Sequence, residues 1–323
     1  MARLLDLSGR NEKILNTLMH LFAIIAPAQG NENDRRQVVE AFLRPHLNQE
    51  GVKAYLKIFE KYYAEAQERL KKGKEARRNS SISVRIIKIC FDIGMQLTLN
   101  QKIVVLVQLL EYCRSDNNGV SSTELEFIIT AAEGFNINPE DYQLIQQFVL
   151  SSREEMLESS QVLVIDSDRI SKYEKTRHIV NDAFRGQVRV LNLPQADMLF
   201  VRSFGTGELL LSGQLRHEDK VYLFERGASL KFMNSKPIYY SEVIRQFLDE
   251  SALASRVVYE VNNIEYKFKG GQVGLHRMSF AEESGRLVGI MGASGAGKST
   301  LLSVLNGTNK PDSGEVLING VNI

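Results

Sequence analysis

The chain is poor in cysteine, in net charge and in long apolar runs, and each shortage excludes something. Its two cysteines, Cys90 and Cys113, both lie inside apolar helical patterns with no C-x-x-C spacing. They read as buried thiols in a reducing compartment rather than as metal or redox ligands. The formal net charge is +1 over 323 residues. No overall field draws such a chain to nucleic acid or acidic lipid, and no nucleic-acid partner is expected. No apolar run reaches the ~18 residues that span a membrane. The longest, Leu18 to Ala28, is interrupted by His20 and Pro27, and Asp6, Arg10, Glu12 and Lys13 among the first leucines do not read as a signal peptide. Five histidines are scattered. His178, His217 and His276 read as surface or strand residues, and no nucleophilic triad is legible, because its members meet only in a fold.

What is present is ordinary globular material, 43% hydrophobic and 24% charged, long enough for two or three domains. Residues 1–155 read as helical. Val52, Tyr55, Leu56, Phe59, Tyr62 and Tyr63 recur at three- and four-residue spacing behind Asn48 as an N-cap. A helix from Val84 to Leu97 places Ile86, Ile87, Cys90 and Ile93 on one face, and another after Asn100 carries Ile103, Val104, Leu106, Val107 and Leu110. Ser121 and Glu124 have capping-box spacing, Gly134 is expected to end that helix in the left-handed region, and Asn138-Pro139-Glu140-Asp141 starts the next. Leu21–Tyr62 and Leu106–Phe148 share an order: helix, polar glycine loop, helix, Asn-capped helix. The loops fall at Gln29–Asp34 and Ser115–Gly119, and two such halves are expected to pack as one helical domain. The basic stretch Arg69–Ser81 between them reads as a solvated helix end and linker.

Residues 160–240 read as a β-rich module. Strand-like runs fall at Val162–Ile165, Gln187–Leu191, Met198–Arg202, Glu208–Leu211, Lys220–Phe224 and Ser229–Phe232, punctuated by glycines. Residues 241–256 form a helical linker, and a third region begins at Val257. The fold class expected is multidomain: an all-α domain, a small β-rich domain, then the start of a P-loop α/β domain.

That last expectation rests on Gly292-Ala293-Ser294-Gly295-Ala296-Gly297-Lys298-Ser299-Thr300, which fits G-x-x-x-x-G-K-[ST] at every position. Leu287-Val288-Gly289-Ile290-Met291 before it reads as a buried strand, and Leu301, Leu302, Val304 and Leu305 after it as an apolar helix face. Backbone N–H groups of such a loop and the helix N-terminus form a concave donor array for phosphates, and glycines let the backbone come close. Lys298 is placed for the β- and γ-phosphates, Ser299 for Mg²⁺, and Thr300 for capping or packing the helix. The cofactors expected are ATP and Mg²⁺.

The flanks resemble the ABC transporter ATPase family. Asn262–Phe268 resembles its first strand with the aromatic that stacks on adenine, best matched by Phe268 and next by Tyr266. Leu275-His276-Arg277-Met278-Ser279-Phe280 resembles the strand that follows, and Lys310–Gly320 the hairpin after the loop. The resemblance covers about 65 residues and implies ATP binding, pairing with a second ATP-binding domain, a transmembrane domain as partner and a place at the cytoplasmic side of the membrane. The family's glutamine loop, signature motif, Walker B acids and switch histidine belong further downstream than Ile323. The expectation is therefore a fragment of a transporter subunit that does not hydrolyse ATP by itself. Leu211-Ser212-Gly213-Gln214 mimics part of the signature by coincidence.

Leu109–Glu124 resembles TerB-like domains, which implies metal binding by acids at Asp116 and Glu124; the other half has Gln29-Gly30 where an acid is expected, and an ordinary turn with a helix cap is the competing reading. The β-rich module stands where some exporters of the ABC-2, G-subfamily type carry a forkhead-associated domain, but that family's motif is not met and Arg226-Gly227 reverses part of it. The functional readings are an ATP-binding subunit of such an exporter, a non-transport ABC ATPase, or a non-enzymatic TerB-like interaction protein with a vestigial nucleotide loop.

Overall fold

In a computed structural model, residues 12–25, 32–44, 47–70, 75–114, 119–155, 157–169, 172–182, 184–205, 208–232, 235–248 and 257–323 are described. They fall into two compact units. One holds the helices up to Leu157 together with Leu193–Ala196, and the other holds the remaining strands and the phosphate-loop region.

The helical unit contains α1 (Glu12–Ile25), α2 (Glu32–Leu43), α3 (Gln49–Leu70), α4 (Glu75–Gly94), α5 (Leu99–Arg114), α6 (Ser122–Gly134) and α7 (Pro139–Leu150). In chain order α1, α2 and α3 are followed by α4, and then by α5, α6 and α7. Residues 26–31 and 115–118 of the two loops lie outside the described residues, while Glu32–Asp34 already belong to α2. Helix α5 is buried on all sides from Ile103 through Cys113, with Gln108 and Glu111 the polar residues among them. Phe22 and Phe59 both meet the Tyr112 ring edge-on at centroid distances of 5.4 and 6.2 Å.

Capping follows the sequence signals. The Gly51 N–H donates to Asn48 Oδ1 at 2.8 Å, the Glu140 N–H donates to Asn138 Oδ1 at 2.8 Å, and Ser121 and Glu124 form the reciprocal box. Three expectations about this unit are corrected. Helix α4 starts at Glu75, nine residues earlier than Val84, so Glu75–Ser81 are helical rather than linker; residues 71–74 lie outside the described residues. Its buried face carries Ile86, Ile89, Cys90 and Ile93, while the Ile87 side chain is half-open to water. Gly134 has an ordinary negative φ, and the left-handed residue is Asn136 at φ 55°. The reason for glycine is steric: a Cβ at Gly134 would stand 2.7 Å from Cys90 Cβ, where α6 crosses α4.

The second unit opens with a two-sheet sandwich. Its strands are β1 (Val162–Asp166), β2 (Arg177–Val180), β3 (Gln187–Leu193), β4 (Met198–Phe204), β5 (Leu209–Leu211), β6 (Gln214–Arg216), β7 (Val221–Leu223), β8 (Ser229–Phe232) and β9 (Ile238–Tyr239). One sheet has the order β2-β1-β3-β4-β7 and the other β6-β5-β8-β9. Alternate residues fill the space between them: Leu163, Ile165, Val188, Val190, Leu199 and Val201 from the first, Leu209, Leu211, Leu230 and Phe232 from the second. All six expected strands are present. β2, β6 and β9 were not legible, since they are short and carry polar residues at half or more of their positions or span only two residues. Ser212 (φ 51°) and Gly213 (φ 77°) form the tight turn of the β5–β6 hairpin, which is what the signature-like tetrapeptide is.

Helix α8 (Tyr240–Phe247) leads toward the last region; residues 249–256 of the expected linker lie outside the described residues. There β10 (Val258–Lys267) and β11 (Val273–Glu283) form a long antiparallel pair, and β12 (Ser313–Ile318) and β13 (Val321–Asn322) complete a sheet of order β11-β10-β12-β13. Val258 and Ala281 also enter the sandwich core, so the sandwich and this sheet share apolar contacts. The carboxylate of Glu260 is fully buried and accepts the Ser241 N–H at 3.1 Å, which fastens the first turn of α8 to β10.

Candidate functional site

The phosphate loop sits between an extended segment and α9 (Lys298–Leu305). Helix α9 lies against the antiparallel sheet: its Leu301 and Val304 join Val261, Ile264, Leu275 and Val316 in one apolar cluster. Tyr259 O–H donates to the Leu305 carbonyl at the helix end. Ser303 Oγ bonds the Thr300 carbonyl at 2.8 Å and accepts from Asn309 Nδ2 at 3.0 Å, which holds the turn after α9. The helix is thereby packed along its length on the sheet and tied to β10 at its C-terminal end.

Gly295 and Gly297 adopt positive φ values of 81° and 85°, which curl the chain around a concave face before Gly297 caps α9. Lys298 turns back over this curl. Its Nζ donates to the Gly292 carbonyl at 2.8 Å and the Ala293 carbonyl at 2.7 Å. The ammonium is thus held at the mouth of the loop by two neutral acceptors, bonds that a phosphate oxygen would outcompete. Gly292, Ala293, Ser294, Gly295, Ala296 and Ser299 are all exposed, and Gly297, Lys298 and Thr300 are half-buried.

A second contact brings the aromatic residue to the loop. A Cβ on Gly297 would stand 2.9 Å from the Gly274 carbonyl, and a Cβ on Gly274 would stand 2.9 Å from the Phe268 ring. Gly274 on β11 is therefore the place where loop and ring meet, because only hydrogen atoms fit between them. Phe268 is 44% exposed and meets Tyr266 edge-on at 5.4 Å. Gly274 is the site residue that reading the sequence missed; its only signal is a glycine in a strand pattern, which marks close backbone approach.

Two expectations fail here. Leu287–Met291 is not a buried strand: Leu287 is 102% and Met291 94% exposed, and the segment has no strand pairing among the described residues. An apolar run becomes a strand only where a neighbouring strand takes its backbone bonds. Leu302 is 53% exposed, so the apolar face of α9 is narrower than expected.

The acid assigned to metal is otherwise engaged. Glu124 accepts Arg35 Nη2 at 2.9 Å, and its second oxygen takes the Ser121 N–H and O–H at 2.8 Å each. Asp116 lies outside the described residues. Glu124 is thus a buried ion-pair and capping residue. His178 also has a partner, Asp166 Oδ1 at 2.8 Å, on neighbouring strands. Burial pushes the Cys90 thiol up to about 12, which makes it inert.

Compared with known proteins, residues 275–323 match the ABC transporter family model. The chain is 43% identical over 67 residues to the methionine import ATP-binding protein MetN of Helicobacter pylori, covering 21% of this chain and 20% of that protein. It is 42% identical over 64 residues to the beta-(1-->2)glucan export ATP-binding/permease protein NdvA of Agrobacterium fabrum, covering 20% of this chain and 11% of that one. To the phosphonates import ATP-binding protein PhnC of Wolinella succinogenes it is 41% identical over 64 residues, covering 20% and 23%. The chain spans about a fifth of the length of the first of these relatives. No solved structure matches. The C-terminal segment is thus similar to the ATP-binding segments of ABC transporters.

Proposed function

We propose that this chain binds ATP–Mg²⁺ at Gly292–Thr300 and belongs to the ATP-binding part of an exporter of the ABC-2, G-subfamily type. The observation that carries nucleotide binding is the junction at Gly274, which sets an exposed aromatic ring beside a glycine-lined anion cradle. The residues fit the ligand. The curl formed by Gly295 and Gly297 is open, Lys298 supplies a cation, and the Ser299 hydroxyl is exposed at the start of α9. Phe268 offers a face for the base, the loop amides and Lys298 hold the phosphates, and Ser299 would hold Mg²⁺. The bound nucleotide supplies the energy of pairing with a second ATP-binding domain, which in turn would move a transmembrane partner at the cytoplasmic side of a membrane. The importers and exporter among the relatives share this segment, so the exporter assignment rests on the resemblance of the domain order. The helical unit is assigned a TerB-like docking role ahead of it.

The test is isothermal calorimetry with ATP and Mg²⁺. Lys298→Ala is expected to weaken binding by more than about tenfold, the cost of a charge-assisted phosphate contact. Unchanged affinity would remove Lys298 from the site. Phe268→Ala is expected to lower affinity by about 1–3 kcal/mol, the usual worth of an aromatic–base stack.

A further inference from the structure

Helix α4 presents a second face that its own fold does not cover. Val84, Ile87, Phe91 and Met95 are 66%, 46%, 66% and 83% exposed, respectively. Their spacing of three, four and four places them in one stripe along the helix and the turn after it, over roughly 16 Å at 1.5 Å per residue. Four large apolar side chains in one line are unlike the single exposed residues that any surface carries. The opposite side of α4, with Ile86, Ile89, Cys90 and Ile93, is buried in the helical unit. The helix is therefore apolar on two sides, and the outer one faces water.

One flank of the stripe carries Lys88 and Asp92, both exposed. They stand four residues apart, the spacing of an intrahelical ion pair, and both side chains are open to solvent. We propose that this face pairs two copies of this chain, helix α4 against helix α4, antiparallel about a two-fold axis level with residue 90.

The geometry is self-complementary in that arrangement. A two-fold axis perpendicular to both helices brings the same flank of each copy together and inverts the order along the axis. Lys88 then stands beside the partner's Asp92, and Asp92 beside the partner's Lys88. The same register interleaves the stripes. The partner's Phe91 falls between Ile87 and Phe91, and the partner's Ile87 falls between Phe91 and Met95. Charge and packing thus select one alignment. A parallel alignment would set Lys88 against Lys88 and Asp92 against Asp92, which like-charge repulsion disfavours. A pair of short helices buries less than the ~1,600 Å² of a standard interface, so the complex belongs to the weak, concentration-dependent class.

The experiment is sedimentation velocity on the full chain, without nucleotide, across about 1 to 200 µM, the range in which such contacts are half-formed. A monomer–dimer equilibrium in this range is expected. Lys88→Glu alone and Asp92→Lys alone each place like charges across the axis twice and should weaken the dimer by about tenfold or more. The double variant Lys88→Glu with Asp92→Lys should restore the wild-type constant, an outcome that a merely structural role for either residue does not produce. Phe91→Asp should leave a monomer with an unchanged circular dichroism spectrum. The proposal is overturned by a wild-type monomer throughout, or by charge variants that dimerise as the wild type does. It is equally overturned by a monomer that sediments with phosphatidylserine vesicles and loses that binding in Phe91→Asp, which would make the stripe a lipid contact.

Discussion

Gly134 shows how a single hydrogen atom decides where two helices cross. A methyl group there would meet Cys90 Cβ at 2.7 Å, well inside contact distance. Gly134→Ala is expected to destabilise the helical unit by about 1–3 kcal/mol, the cost of overpacking a filled interior, measured as a lower urea midpoint. Glu260 carries a different kind of cost. Burial pushes its carboxyl above the ordinary value, partly offset by the bonds from Ser241, and the neighbouring Glu242 pushes the same way. The fold therefore favours the neutral acid. This contribution to stability is full at pH below the ordinary carboxyl value and is lost as pH rises through the raised one. Glu260→Gln, which keeps an acceptor for the Ser241 N–H, should gain stability relative to the wild type as pH rises through that window. A difference that stays flat between acid and neutral pH would show that the carboxyl is not perturbed.

At the scale of elements, caps were legible and partners were not. Ser121 and Glu124 announce the start of α6 by spacing alone, and the box forms with the Glu124 N–H donating to Ser121 Oγ at 3.3 Å. The spacing could not show that Arg35 would reach Glu124 from α2, burying the pair so that the acid serves two elements at once. Ser121→Ala should lower stability by about 0.5–2 kcal/mol through the lost cap, readable by thermal melting. Glu124→Ala should cost more, because it also removes the carboxylate from a buried ion pair with Arg35. The same limit explains Leu287–Met291. Its composition is that of a buried strand, but backbone pairing is a property of neighbours, and no described strand lies alongside it.

At the scale of the molecule, the helical unit and the strand-rich unit each have an interior of their own, one around α5 and one between the two sheets of the sandwich. Calorimetric unfolding is expected to resolve two transitions, since cores that do not share residues unfold as separate cooperative units. Addition of ATP–Mg²⁺ should raise only the transition of the strand-rich unit, because a ligand stabilises the unit that holds it. The amino-acid sequence by itself determined the helical first half, six strands of the sandwich and the phosphate loop. These are recorded in short-range periodicity, caps and glycine spacing, which act within a few residues. Only the tertiary structure decided that Gly274 joins Phe268 to the loop, that Gly134 is a crossing point rather than a cap, and that α4 keeps a second apolar face toward water. Each of these depends on which surfaces meet across long sequence separations, and burial against a distant element leaves no local mark on the residues that undergo it.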